Sequence, residues 1–96
     1  MMRIETDEIG DSVTFKVEGR LAGAGVSTLE ECWRAGLARH PHGKFTVDLT
    51  KVTFIDKAGS LLLQLIDRDG SSFKTTGLMT EELAEILRRT RKGDIE

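Results

Sequence analysis

The chain is short of most features that would announce a chemistry. One cysteine, Cys32, in 96 residues excludes an internal disulfide framework and fits a reducing cytosol. The only two histidines share the turn His40-Pro41-His42, without a cysteine or carboxylate beside them, so the turn reads as a solvated helix end and not as a metal pair. No stretch approaches the ~18 apolar residues of a membrane span, and Met1-Met2-Arg3-Ile4-Glu5 has no apolar secretion core. A net charge of −2 gives no general attraction to nucleic acid or to an anionic membrane. Gly19, Gly23 and Gly25 are not followed by the Gly-Lys-Ser/Thr of a phosphate loop. Sequence spacing sets no nucleophile beside a base, no metal cluster and no carboxylate dyad. No catalysis, cofactor or metal is therefore expected.

With 39% hydrophobic and 31% charged residues, the composition is that of an ordinary soluble domain. There is no repeat, linker or low-complexity tract, so residues 1–96 are expected to form one cytoplasmic domain.

The hydrophobic period changes along the chain. Arg3 to Ile9 and Val13 to Leu21 alternate as strands around the turn Gly10-Asp11-Ser12, which predicts a hairpin. Ser27-Thr28-Leu29-Glu30 has capping-box spacing, and Val26, Leu29, Trp33 and Leu37 follow at helical intervals. Glu30 and Arg34 are spaced to pair i to i+4 on the outside. Phe45 to Leu49 is the clearest strand, with Val52 to Ile55 continuing it or following a pause at Thr50-Lys51. A helix with Leu61, Leu62, Leu65 and Ile66 on its apolar face ends at Asp69-Gly70. Phe73 to Thr76 is a weaker strand. A last helix opens at Thr80 with acid first (Glu81, Glu82) and base last (Arg88, Arg89, Arg91, Lys92), which suits the helix dipole at both ends. The fold class implied is α/β, with a mixed, largely parallel sheet of four to five strands, an N-terminal hairpin and about three helices.

In such a sheet the loops after the strands that feed helices lie at one end, which is where open α/β sheets place their sites. These loops are Arg20 to Gly25, Asp56 to Ser60 and Thr76 to Thr80. The most informative run is Phe54-Ile55-Asp56-Lys57-Ala58-Gly59-Ser60-Leu61-Leu62-Leu63, a buried strand that ends in an Asp and turns at once into an apolar helix. Asp56 is a good N-cap for that helix. Gly59 permits close helix–sheet packing. Lys57 adds a positive charge that favours an acidic partner.

Val17-Glu18-Gly19-Arg20-Leu21, Val47-Asp48-Leu49-Thr50-Lys51-Val52, Phe54-Ile55-Asp56-Lys57-Ala58-Gly59, Leu61-Leu62-Leu63 and Thr76-Gly77-Leu78, in this order and spacing, resemble the STAS domain. This is the family of anti-sigma-factor antagonists, also found in sulfate-transporter tails and lipid-transport complexes. The resemblance spans roughly Val13 to Leu87 and implies a STAS-like fold and a non-catalytic role in protein binding. It implies a kinase-like anti-sigma factor or a transport subunit as partner, met through Asp56, Lys57, Ala58, Gly59, Ser60, Arg20 and Ala22. An alternative within the family is a domain sensing a small molecule such as a nucleotide or lipid, which would need a pocket among Leu21, Ile55, Leu78 and Met79. Regulatory members carry a phosphorylated hydroxyl at the position of Ala58, and an Asp is frequent at the position of Ala22. The second helix here is also shorter than usual for the family. Ser60 lies about 200° around the helix axis from Ala58, out of register for a kinase aimed at position 58. Resemblance and departures together imply a docking surface without its usual serine switch.

Overall fold

The turn Gly10-Asp11 joins two strands, β1 (Met2–Ile9) and β2 (Ser12–Leu21), which pair antiparallel from Met2↔Gly19 to Ile9↔Ser12. This computed structural model describes residues 2–95, with side chains described to Arg88. The chain continues as α1 (Ala24–Arg39), β3 (Lys44–Ile55), α2 (Lys57–Arg68), β4 (Ser72–Lys74) and α3 (Leu78–Ile95). The sheet order is β1-β2-β3-β4, with β3 parallel to both β2 and β4. The expected α/β architecture is therefore present, with four strands and three helices.

Strand alternation divides the sheet into two unlike faces. Val13, Phe15, Val17 and Leu21 of β2 meet Phe45, Val47, Leu49, Val52 and Ile55 of β3 in one core. Leu29 and Trp33 of α1, Leu62, Leu63 and Ile66 of α2, and Leu83 and Ile86 of α3 close over it. The Phe15 and Phe45 rings stack at 6.2 Å inside it. The opposite face is polar. Across it Glu5 pairs in register with Lys16, Lys16 with Asp48, and Asp48 with Lys74. One row of four strands therefore carries charge of alternating sign, the favourable arrangement for cross-strand neighbours.

Several boundaries differ from the sequence reading. β3 runs unbroken through Thr50-Lys51, and β2 follows it with register shifts at Lys16/Glu18 and Gly19/Arg20. Each shift adds one residue to β3, so of the two readings of Thr50-Lys51 the continuous strand is the one present, with a bulge where the pause was the alternative. The first helix opens at Ala24, three residues before the Ser27 capping box, and Thr28 Oγ1 donates to the Ala24 carbonyl from inside the helix. Gly23, at φ +56°, is the residue before that helix and has no side chain to cap it. Such a conformation is cheap only for glycine, and it lets the chain leave β2 and enter the helix within two residues. α3 likewise opens at Leu78, after Gly77. The side chains of Arg89, Arg91 and Lys92 lie outside the described residues, whereas Arg88 pairs with Glu85 at 3.1 Å.

Candidate functional site

Asp56 is the centre of the strand–helix corner. It leaves β3 in extended conformation, and its Oδ1 accepts from the Gly59 amide at 2.7 Å, as an N-cap should. Its Oδ2 accepts from the Gly23 amide at 3.0 Å. A single carboxylate thus caps α2 and also serves the glycine that precedes α1, which explains why α1 can begin without a capping residue of its own. These two backbone donors, with Arg20 nearby, hold the Asp56 carboxyl below its ordinary range.

Gly59 is buried, and a Cβ there would stand 2.7 Å from the Leu21 carbonyl oxygen and 3.1 Å from Ile55 Cγ2. The first turn of α2 therefore lies directly on the ends of β2 and β3. The same Leu21 carbonyl accepts from the Asp56 amide at 3.1 Å. The corner is rigidly built.

The residues expected at this surface are divided by the start of α1. Arg20 and Ala22 line a groove of about 400 Å³ on the β1 side, with Met2, Ile4, Ala24 and Thr28. The Arg20 guanidinium stacks over Phe54 at 4.3 Å, and Phe54 remains 40% exposed. Ala58 lines a second groove of about 390 Å³ between α1 and α2, with Gly23, Val26, Glu30, Leu61 and Leu65. Lys57 and Ala58 are exposed, and Ser60 is half-buried. The third expected loop does not join them. β4 pairs only with Thr46 to Asp48, so the chain leaves the sheet beside Asp48, roughly 20 Å short of the corner at strand rise.

The apolar face expected for α2 includes Leu61 and Leu65 and leaves out Leu63, and on all three the structure differs. The buried stripe is instead Gly59, Leu62, Leu63 and Ile66, at the i, i+3, i+4, i+7 spacing of one helical face. Leu61 and Leu65 are left 56% and 41% exposed, one turn apart along the α1–α2 groove. The excess of apolar residues in Leu61-Leu62-Leu63-Gln64-Leu65-Ile66 over what one face can bury was the available signal. Leu21 and Ile55 are core residues while Leu78 stands 83% exposed, so the apolar walls of the pocket that the small-molecule alternative needs are divided between interior and solvent. A larger depression of about 580 Å³ at the opposite end of the sheet, lined by residues such as Ser12, Thr14, Lys44 and Ser71, is polar and open.

At that opposite end His40 is more than a solvated helix terminus. Its Nε2 contacts Glu8 Oε1 at 2.6 Å and its Nδ1 contacts Asp11 Oδ1 at 3.2 Å, while Arg39 reaches Glu8 Oε2 at 2.7 Å. The carboxylates absent near His40 in sequence arrive from the hairpin. They meet opposite ring nitrogens, an arrangement unsuited to sharing one ion, and no metal-binding cluster occurs among the described residues. Cys32 is half-buried against the core. Among the described residues no helix is long and apolar enough to cross a membrane.

No protein-family model and no curated protein sequence matches the chain. Solved structures do. The structure of the anti-sigma factor antagonist SpoIIAA in its unphosphorylated form superposes with TM-score 0.61 at 11% identity, covering 90% of this chain and 98% of SpoIIAA. The STAS domain of an anti-sigma-factor antagonist from Rhodobacter sphaeroides gives TM-score 0.51 at 17% identity, over 80% and 87% of the two chains. The fold is STAS-like. The structure of Mglu matches with TM-score 0.58 at 18% identity over 76% of this chain, which spans only 19% of Mglu. A STAS-like fold thus also matches a small part of a much larger chain.

Proposed function

We propose that this chain is a non-catalytic, STAS-type regulatory module that docks a protein partner at the Asp56 corner and in the adjoining groove between α1 and α2. The observation that carries the reading is the pair Leu61 and Leu65, large apolar side chains left 56% and 41% exposed beside Ala58. Exposed apolar side chains gathered in one groove, with polar residues at its rim, mark an interaction surface better than scattered ones do. Lys57 and Arg20 supply positive charge on either side, which suits a partner with acidic residues around an apolar contact. The STAS-like fold supports a kinase-like anti-sigma factor or a transport subunit as the partner class.

With alanine at position 58 the groove has no hydroxyl to phosphorylate where the family carries one. The module therefore presents its docking surface constitutively, and regulation falls on its abundance or on its partner. Asp56 and Gly59 act as the frame that fixes the groove, while Lys57, Ala58, Leu61 and Leu65 make the contact.

The test is affinity capture from the native cytosol with wild type, Lys57→Glu and Leu61→Ser, and identification of retained proteins by mass spectrometry. Loss of one kinase-like or transport protein in both variants, with unchanged circular dichroism, is the expected result. Equal retention by all three forms would overturn the docking surface.

A further inference from the structure

The free edge of β1 has a charge pattern that is complementary to itself. β1 pairs with β2 along one side only, and it is the outermost strand of the order β1-β2-β3-β4. An unpaired strand of eight residues is a template for another strand. We propose that a second copy of this chain pairs its β1 with this edge, antiparallel about a two-fold axis through Ile4, joining two sheets into one of eight strands. This interface lies at the sheet edge and does not use the α1–α2 groove.

Register decides between the possible axes. A two-fold perpendicular to the sheet keeps the helix-covered faces on one side, so each residue meets another of the same parity. An axis at Arg3 would set Arg3 against itself. Axes at Glu5 and Asp7 would each set a carboxylate against its own copy, and an axis at Thr6 would set Glu5 against Asp7 twice. Only the axis at Ile4 opposes unlike charges without opposing like ones. Arg3 then faces the second copy's Glu5, Glu5 faces its Arg3, Ile4 faces Ile4, and Met2 faces Thr6.

The rest of the polar face extends the same pattern. Within one copy the in-register row is Lys74, Asp48, Lys16, Glu5, and a neighbouring row is Arg3, Glu18, Lys51. Pairing Glu5 with the second copy's Arg3 joins these rows into seven positions across the two sheets, and the sign alternates at every step. On the helix side, Met2 and Ile4 are half-buried and line the groove with Ala22, Ala24 and Thr28. The incoming strand would cover that apolar surface. Asp7 and Glu8 lie outside the five-residue overlap, where they already pair with Lys16 at 2.9 Å and with Arg39 at 2.7 Å.

Sedimentation velocity on the whole chain, from about 10 µM to about 1 mM, covers the range expected for a small edge interface. The wild type is expected to dimerise within it. R3E and E5R should each weaken dimerisation roughly tenfold, because each turns two attractive cross-strand pairs into repulsive ones. The swap R3E/E5R should recover part of the loss, since the pairs between copies re-form with reversed sign while each changed side chain meets like charge on Glu18 or Lys16 of its own copy. A monomeric wild type throughout, or a swap no stronger than the single variants, overturns the proposal. So does a dimer lost in Leu61→Ser and retained in R3E, which would place self-association in the α1–α2 groove instead.

Discussion

Asp56 and Gly23 are 33 residues apart in the chain and are joined by a 3.0 Å hydrogen bond from the glycine amide to the Asp56 carboxylate. The same carboxylate caps α2 through Gly59, so one side chain secures the entry to both helices that flank the candidate groove. Asp56→Ala removes both bonds. The melting temperature should fall by about 5 °C, the usual consequence of losing a cap in a domain of this size, and amide exchange at Gly23 and Gly59 should quicken. The Asp56 carboxyl titrates below its unfolded value. Its contribution is therefore present above the unfolded pKa, near ~3.9, and is lost as pH falls through the depressed folded value. A thermal-melt series across pH 2 to 6 should accordingly be flatter on its acid limb in Asp56→Asn than in wild type.

Gly59 shows how tightly that corner is closed. Alanine is the better helix former by about 1 kcal/mol, so propensity alone predicts that Gly59→Ala stabilises the chain. The added methyl would instead stand 2.7 Å from the Leu21 carbonyl, against backbone that also binds the Asp56 amide. Overpacking of this kind costs about 1–3 kcal/mol and exceeds the propensity gain. Chemical denaturation should place Gly59→Ala below wild type. A midpoint at or above wild type would show that α2 can move off the sheet.

The parts of this fold that could be read from residue order are those governed by local period. Val13, Phe15 and Val17 alternate and are buried, and the Phe45 to Leu49 strand and the Asp56 cap stand where the pattern put them. What could not be read depends on contacts distant in sequence. The Ser27 capping box is overridden because Asp56 supplies the acceptor at Gly23. The division of leucines in α2 follows from where the sheet lies, which no single helix can declare. His40 finds its carboxylates on β1 and in the hairpin turn, more than 25 residues upstream. Short β4 draws its following loop away from the corner because it pairs with only three residues of β3.

The His40 clamp titrates in a predictable direction. Hydrogen bonds to Glu8 and then to Asp11 raise the His40 pKa above its ordinary value, and hydrogen bonds from His40 and Arg39 lower that of Glu8. A raised histidine contributes stability below its unfolded pKa, near ~6.5, and loses it as pH rises through the folded value. A lowered glutamate contributes above its unfolded pKa and loses it in acid. The clamp therefore holds best between the two titrations. The protection of amides in the hairpin turn and of Lys44, whose amide donates to the Asp11 carbonyl at 2.8 Å, measured relative to the intrinsic exchange rate at each pH, should be greatest in that window and fall on the alkaline side. His40→Gln should remove the alkaline dependence. NMR titration of the His40 ring gives the pKa directly, and a value at or below ~6.5 would refute the clamp.

Position 58 offers the sharpest separation of fold from docking. Ala58 is exposed in the first turn of α2 and lines the groove beside Leu61 and Leu65. A carboxylate placed there stands at the positive end of the helix dipole, which favours it by ~0.3–1 kcal/mol, while the nearby Asp56 carboxylate opposes it. Ala58→Glu should therefore change stability by no more than about 0.5 kcal/mol, the usual range for surface substitutions. Its effect on docking should be larger, because a partner seated on Leu61 and Leu65 would have to strip water from a charge without offering it a counter-ion. Retention of the captured partner should fall at least about tenfold. Ala58→Ser adds a neutral hydroxyl in the same place and should bind as the wild type does until a kinase phosphorylates it. Full retention by Ala58→Glu, with its fold intact, would move the contact surface away from the α1–α2 groove and leave Arg20, Ala22 and the β1-side groove as the place to look.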